Sequence, residues 1–217
     1  KLLYYIERKQ YLVITGCLLL VFVMGSIHAF SILLEPIETK FNVSRSLSSF
    51  TYSLSLISIT VSIYFGNYIY KKFNPTRIVM IIMTLSTLGT IMSAYSDSIF
   101  FVWLGFGLFF GLANGIAYGY TLQYSAMAFP DSKAIMMGLV TACYGLGATI
   151  TPIFYRTTIS LGGFENTMIN LTIVFFLINF IVLCLFRFSN LEFNLVKGEK
   201  LQEKNYKSMN KYLLWLI

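Results

Sequence analysis

The sequence has 217 residues, of which 57% are hydrophobic and 12% charged, and its formal net charge is +7. Its mean hydropathy of +0.72 is far too high for a water-soluble domain of this length. The composition therefore excludes a soluble globular protein and predicts an all-α polytopic membrane protein. The basic residues do not gather on a soluble domain, so they do not indicate nucleic-acid binding.

Six apolar segments are each long enough to cross a membrane as a helix, which takes about 20 residues. They cover residues 11–34, 46–70, 76–95, 99–124, 134–156 and 164–187. A seventh begins at Tyr212 and stops at Ile217, so we interpret the sequence as part of a longer protein. We predict a six-helix transmembrane bundle over 1–187, a cytoplasmic central loop over 188–211 and the start of a seventh helix over 212–217.

The charges of the loops predict the orientation. With the N-terminus in the cytosol, thirteen of the 16 Lys and Arg residues lie on the cytoplasmic side, and Lys40, Arg45 and Arg156 lie outside. Loops on the cytoplasmic side carry the excess of basic residues, so we expect a cytoplasmic N-terminus, in the plasma membrane. Arg156, at the outer end of the fifth segment, could attract anions or could extend toward the lipid headgroups.

Small residues mark the helices that we expect inside the bundle. The fourth segment repeats glycine every four residues, which places the glycines on one helix face and allows close packing. The fifth segment has a similar small-residue face. The glycines to which we assign helix packing are Gly107, Gly111, Gly115, Gly119, Gly138 and Gly145.

The second, third and sixth segments differ in character. The second carries a hydroxyl stripe, Thr51, Ser55, Ser58 and Ser62, at helical spacing, and such a stripe either packs on a neighbouring helix or lines a wet cavity. The third and sixth are mostly large and apolar. We expect these two to face lipid, with segments one, two, four and five forming the interior.

A short internal match predicts a repeated architecture. The stretch from Gly25 to Ser31 and the stretch from Gly115 to Thr121 lie ninety positions apart, and both read Gly, two residues, His or Tyr, one residue, an aromatic and a hydroxyl. The other segments are offset by about the same distance. The match predicts two copies of a three-helix unit, as in many secondary transporters. A chance match between two glycine- and aromatic-rich helices is the alternative.

Several stretches together resemble one family. They are Gly25 to Ser31 with Pro36, the glycine-rich fourth segment, Phe129 to Lys133, and Gly138 with Tyr144 to Ala148. The chain resembles the N-terminal half of the oxalate:formate antiporter and monocarboxylate transporter branch of the major facilitator superfamily. The resemblance implies half of a 12-helix fold that moves a small organic anion by alternating access, with a proton or a counter-anion as co-substrate. In that branch the basic residues that pair with the anion lie in the C-terminal half.

The loop after the second segment matches the signature of the superfamily only in part. Gly66, Lys71, Lys72 and Arg77 fit the pattern, whereas the acid that follows the glycine in the family is missing. The resemblance implies a gating role for this cytoplasmic loop. Basic residues that only enforce topology explain the same four positions.

His28 is the titratable group of greatest interest inside a segment. The resemblance implies that it faces the substrate, together with Tyr144, and the internal repeat pairs it with Tyr118. A neutral histidine that hydrogen-bonds a neighbouring helix is the alternative. The weaker substrate-binding candidates are Tyr118, Asn114, Gln123 and Tyr124.

Absent residue types narrow the function. No Asp or Glu lies in the interior of the six segments, which favours an anionic or neutral substrate. No metal-ligand pair, activated nucleophile or phosphate loop is found, so we expect neither an enzyme nor a cofactor. The alternative to a transporter is a non-transporting six-helix scaffold or a degenerate half-transporter.

Overall fold

The computed structural model describes residues 2–189, with side chains from residue 9 onward, and every regular element in that range is helical. The predicted start of a seventh helix and all but the first two residues of the predicted central loop lie outside the described residues. The elements are α1 (Leu2–Met24), a 3₁₀ stretch (Gly25–Leu33), α2 (Leu34–Phe41), α3 (Arg45–Lys72), α4 (Pro75–Ala94), α5 (Ile99–Val102), a π-helical stretch (Trp103–Phe110), α6 (Gly111–Ala128), a 3₁₀ turn (Pro130–Ser132) and α7 (Lys133–Ser189).

Five helices of the described chain are long and apolar enough to cross a membrane. They are Lys9–Phe41, Arg45–Lys72, Pro75–Ala94, Ile99–Ala128 and Pro130–Ser189. The last one contains both the fifth and the sixth predicted segments. In place of the expected loop, only Gly162 (φ −173°, ψ 25°) and Gly163 (φ 68°, ψ −157°) leave helical geometry. We call residues 133–161 and 164–189 the first and second arms of α7.

The hydroxyl stripe of α3 packs against the glycines of the fourth segment. A Cβ atom added to Gly111 would lie 2.8 Å from the Ser58 Cβ, and one added to Gly115 would overlap Ser62. The Ser55 hydroxyl donates to the carbonyl of Thr51 in its own helix at 2.9 Å. The stripe is buried and therefore joins two helices rather than lining a wet cavity.

The same face of α6 and the π-helical stretch continues to Gly107, which packs on the Leu54 side chain, and to Gly119, which packs on the Tyr70 hydroxyl. By contrast, apart from neighbouring atoms of its own helix, no atom of the described chain lies within 4 Å of a Cβ added to Gly138 or Gly145. Among the described residues, these two glycines therefore do not mediate helix packing, because they lie on an uncovered face of α7.

Two other glycines bring α7 close to the first helix. A Cβ on Gly25 would overlap the carbonyl oxygen of Tyr144, and a Cβ on Gly147 would overlap the carbonyl oxygen of Phe22. Because backbone atoms fill the space on both sides, the two helices can cross here only at glycine. This crossing fixes the distance between His28 and the first arm of α7.

Exposure is not restricted to the segments that we expect to face lipid. The second arm does expose large apolar side chains, with Leu177 at 54% and Phe180 at 51%. However, α3 also has an open face, where Tyr64 is 79% exposed and Tyr68 is 74% exposed. The second segment is thus interior on its serine face only.

Candidate functional site

The 3₁₀ stretch sets the position of His28. A 3₁₀-helix has three residues per turn, so Gly25, His28 and Ser31 lie on one face. Gly25 is buried against α7, whereas His28 and Ser31 are exposed. The face thus runs from the crossing of α1 and α7 at Gly25 out to the surface of the bundle. The neighbours of His28, Ile27 and Ala29, are buried on the other sides of the 3₁₀ stretch.

Both ring nitrogens of His28 meet tyrosine hydroxyls. Nδ1 lies 2.9 Å from the Tyr52 hydroxyl of α3, and Nε2 lies 3.1 Å from the Tyr144 hydroxyl of α7. The Tyr144 hydroxyl donates to Asn114 Oδ1 of α6 at 2.7 Å. Asn114 in turn donates from Nδ2 to the carbonyl of Met24, the last residue of α1.

Aromatic rings complete this group, which we call the His28 cluster: His28, Tyr52, Asn114, Tyr118 and Tyr144. The Tyr118 ring lies 4.8 Å from the Tyr144 ring, and its hydroxyl is 3.3 Å from Thr141 Oγ1. Asn114 is fully buried, Tyr144 is half-buried and His28 is exposed. The cluster therefore leads from the interior of the bundle to an open surface.

The structure brings four of the six predicted substrate-binding residues together. Gln123 and Tyr124 lie elsewhere, because Gln123 is nine residues beyond Asn114, about 13 Å along a helix. Gln123 donates to Asn67 Oδ1 of α3 at 2.8 Å. Tyr124 is buried, with its ring stacked 5.1 Å from that of Tyr120.

Sequence reasoning missed Tyr52. It lies beside the hydroxyl stripe, in a helix with several other tyrosines, and no spacing distinguishes it from them. Its ring stacks on Phe30 at 5.7 Å, which orients the hydroxyl toward His28. The pairing depends on the 3₁₀ geometry of residues 25–33, which periodicity does not reveal.

Tyr70 stands where the loop signature has an acid, four residues after Gly66. Its hydroxyl donates to the carbonyl of Ile116 at 3.0 Å and lies against Gly119. It therefore links α3 to α6 inside the described bundle. Lys71 and Lys72 follow in the last turn of α3, and Arg77 lies in the first turn of α4.

An open cavity of about 1090 Å³ lies at the end of the bundle where α2 stops, and it is lined by Ser31 as well as by charged side chains. These are Glu35, Lys40, Arg45, Arg156 and Glu165. Arg45 pairs with Glu38 at 2.9 Å and Lys40 with Glu165 at 4.0 Å. Arg156 has no acidic partner among residues 9–189.

The described residues contain no group of three His, Cys, Asp or Glu side chains that could hold a metal ion. The chemistry available at the His28 cluster is hydrogen bonding by hydroxyl, amide and imidazole groups. Such a site can orient a polar ligand and can exchange a proton at the imidazole.

Comparison with known proteins gives consistent matches. The family model described as Major Facilitator Superfamily matches residues 14–214. The uncharacterised MFS-type transporter YhjX of Escherichia coli is 25% identical over 163 residues, which is 75% of this chain and 40% of the relative. Human Monocarboxylate transporter 14 is 26% identical over 150 residues, 69% of this chain and 29% of the relative. The matched region is thus less than half of either relative.

Proposed function

Because the chain belongs to the Major Facilitator Superfamily, we propose that it is the N-terminal part of a secondary active transporter that moves a small organic anion by alternating access. It is an integral, multi-pass membrane protein and a transport protein rather than an enzyme. Its six segments are two copies of a three-helix unit, half of a 12-helix fold. The break at Gly162 and Gly163 supports this count, because it divides α7 into two arms and so raises the number of spanning segments from five to six.

The observation that carries the proposal is the His28 cluster. It presents an exposed imidazole and several hydroxyl groups at the surface of the bundle, and none of the described acidic side chains pairs with it. A carboxylate needs donors and is repelled by nearby acids, so this surface suits an anion better than a cation. The names of relatives such as Monocarboxylate transporter 14 support a monocarboxylate, and oxalate or formate is the related choice.

Orientation and partners follow from the same proposal. The N-terminus and the loop with Gly66, Lys71, Lys72 and Arg77 lie in the cytoplasm, and the protein resides in the plasma membrane. The loop acts in gating against the C-terminal half. A proton or a counter-anion accompanies the substrate, and the surrounding lipid and that second half are the remaining partners.

The test is uptake by the full-length protein in liposomes. Labelled formate, lactate, pyruvate and oxalate are offered to the wild type, to His28→Ala and to Thr87→Ala. Thr87, on α4, bonds only carbonyls of its own helix, at 2.6 Å to Met83, and serves as a control for loss of a polar group. We expect saturable uptake that His28→Ala abolishes and Thr87→Ala preserves.

Each other outcome contradicts a defined part of the proposal. Saturable uptake that is insensitive to His28→Ala keeps the carboxylate carrier and assigns His28 to helix packing. No uptake of any of the four anions by a folded protein contradicts the substrate class. In that case the non-transporting scaffold gains support if other solutes also fail.

A further inference from the structure

The hydrogen bonds of the His28 cluster have a fixed direction. The Met24 carbonyl can only accept, so the Asn114 amide nitrogen must face it, as the structure has it. The Asn114 oxygen therefore faces Tyr144 and accepts its hydroxyl proton at 2.7 Å. The single proton of Tyr144 is committed to Asn114.

This direction determines the tautomer of His28. Because Tyr144 has no second proton to donate, its oxygen must accept from His28 Nε2, which lies 3.1 Å away and so carries the ring hydrogen. In the neutral ring Nδ1 is then an acceptor. The Tyr52 hydroxyl donates to it at 2.9 Å.

Protonation of His28 reverses only the contact with Tyr52. A proton added to Nδ1 makes both ring nitrogens donors, and two donors cannot share a hydrogen bond of 2.9 Å. The Tyr52 hydroxyl must rotate so that its oxygen accepts and its proton points away. Within residues 9–189, no second acceptor is within reach of this hydroxyl.

No other described group near His28 balances the charge that its protonation creates. The titratable side chains that face it are Tyr52 on α3 and Tyr144 on α7, with Tyr118 of α6 behind Tyr144. None of the described carboxylates or cations forms an ion pair with it. The proton on Nδ1 therefore brings a positive charge that no described side chain balances.

We propose that Tyr52 is a substrate-binding residue whose hydroxyl donates to the carboxylate of the anion only when His28 is protonated. The inference rests on the proposed function. The imidazolium supplies the balancing charge and Tyr52 the hydrogen bond, so the proton and the anion bind together. When the anion leaves, Nδ1 releases its proton to water and the Tyr52 hydroxyl turns back to Nδ1, with no change in covalent bonding to the substrate.

The test measures carboxylate affinity of the full-length protein at about pH 5 and about pH 8, which bracket the ordinary titration of histidine. Tyr52→Phe keeps the ring that stacks on Phe30 and removes only the hydroxyl. Tyr64→Phe, on the same helix and 79% exposed, is the matched control. We expect Tyr52→Phe to weaken binding of formate or lactate about ten-fold at the acidic pH and less than two-fold at the alkaline pH. Tyr64→Phe should change neither.

A structural role for Tyr52 would give an equal loss at both pH values, and that result would overturn the inference. Nitrogen-15 NMR of histidine-labelled protein gives a second measurement that needs no substrate, with the His28 signal identified by its loss in His28→Gln. We expect hydrogen on Nε2 and none on Nδ1 at about pH 8. The opposite tautomer also overturns the inference. A wild type that binds no carboxylate at either pH contradicts the proposed function itself.

Discussion

Gly25→Ala tests whether the glycine crossing holds the His28 cluster together. The added methyl group would overlap the carbonyl oxygen of Tyr144 and lie 2.9 Å from the amide nitrogen of Ala148. Both are backbone atoms of α7, so no side-chain rotation can make room, and the first arm of α7 must move away. Since the hydroxyl of Tyr144 is one of the two partners of His28, the movement also breaks the 3.1 Å contact.

The size of the effect follows from two opposing terms. Overpacking a close contact costs about 1–3 kcal/mol, and replacing a helical glycine by alanine recovers up to about 1 kcal/mol. We therefore expect a net loss of about 1–2 kcal/mol in the free energy of unfolding, together with a loss of carboxylate uptake. Gly107→Ala is the control, because the three atoms nearest to its added methyl group all belong to the Leu54 side chain, and the closest, Cδ2 at 2.9 Å, can move away by side-chain rotation.

The assay compares thermal melting of the two purified full-length variants with the wild type, and then their uptake in liposomes. Gly107→Ala should melt close to the wild type and keep its uptake. If Gly25→Ala melted and transported like Gly107→Ala, the close approach of α1 and α7 would not constrain the cluster, and the reasoning would be refuted.

Three further substitutions have defined outcomes. Tyr70→Phe should lower the free energy of unfolding by about 1 kcal/mol through loss of the bond to Ile116, measured by melting, and an unchanged melting temperature would contradict the link. Arg156→Gln should raise KM for anion uptake at low ionic strength and lose this effect as salt is added, whereas an effect that salt does not change would exclude electrostatic attraction. Gly163→Ala should destabilise by about 1–3 kcal/mol, because φ of 68° with ψ of −157° suits glycine alone. Because, apart from neighbouring atoms of its own helix, nothing in the described chain lies within 4 Å of the added Cβ, the loss would come from the backbone conformation, and an unchanged melting temperature would contradict the assignment of strain to Gly163.

The helices could be predicted from the sequence because their length and apolar content are sufficient evidence. The third predicted segment, 76–95, differs from the observed Pro75–Ala94 by one residue at each end. The boundary between the fifth and sixth segments was predicted less accurately. The fifth segment was expected to end at residue 156, but the helix continues to residue 161 and turns at two glycines. A polar stretch after Arg156 has the composition of a loop, yet it is helical in the structure.

The packing of α6 was predictable, whereas that of α7 was not. Gly111 and Gly115, four residues apart in α6, meet serines that are three or four residues apart in α3, so each pattern independently indicated a close contact. In α7 glycines lie on two different faces, and the sequence does not show which face packs against α1. Gly138 and Gly145 form the more regular stripe, but Gly147 makes the close contact, because the 3₁₀ stretch presents Gly25 on the side where Gly147 lies.

A histidine that only joins helices would be expected to have its hydrogen-bonding groups buried, because an exposed bond exchanges readily with water and contributes little. In the His28 cluster the buried partner is Asn114, which already joins α6 to α1 through Met24. His28 lies at the exposed end, where its two bonds add little to packing. Its position therefore favours contact with a ligand, and the 3₁₀ stretch that places it there costs regular helix hydrogen bonding in the middle of a long apolar helix. The close approach of Gly25 to α7 accounts for the 3₁₀ geometry in packing terms, whereas the exposure of the two His28 hydrogen bonds is accounted for by a binding role.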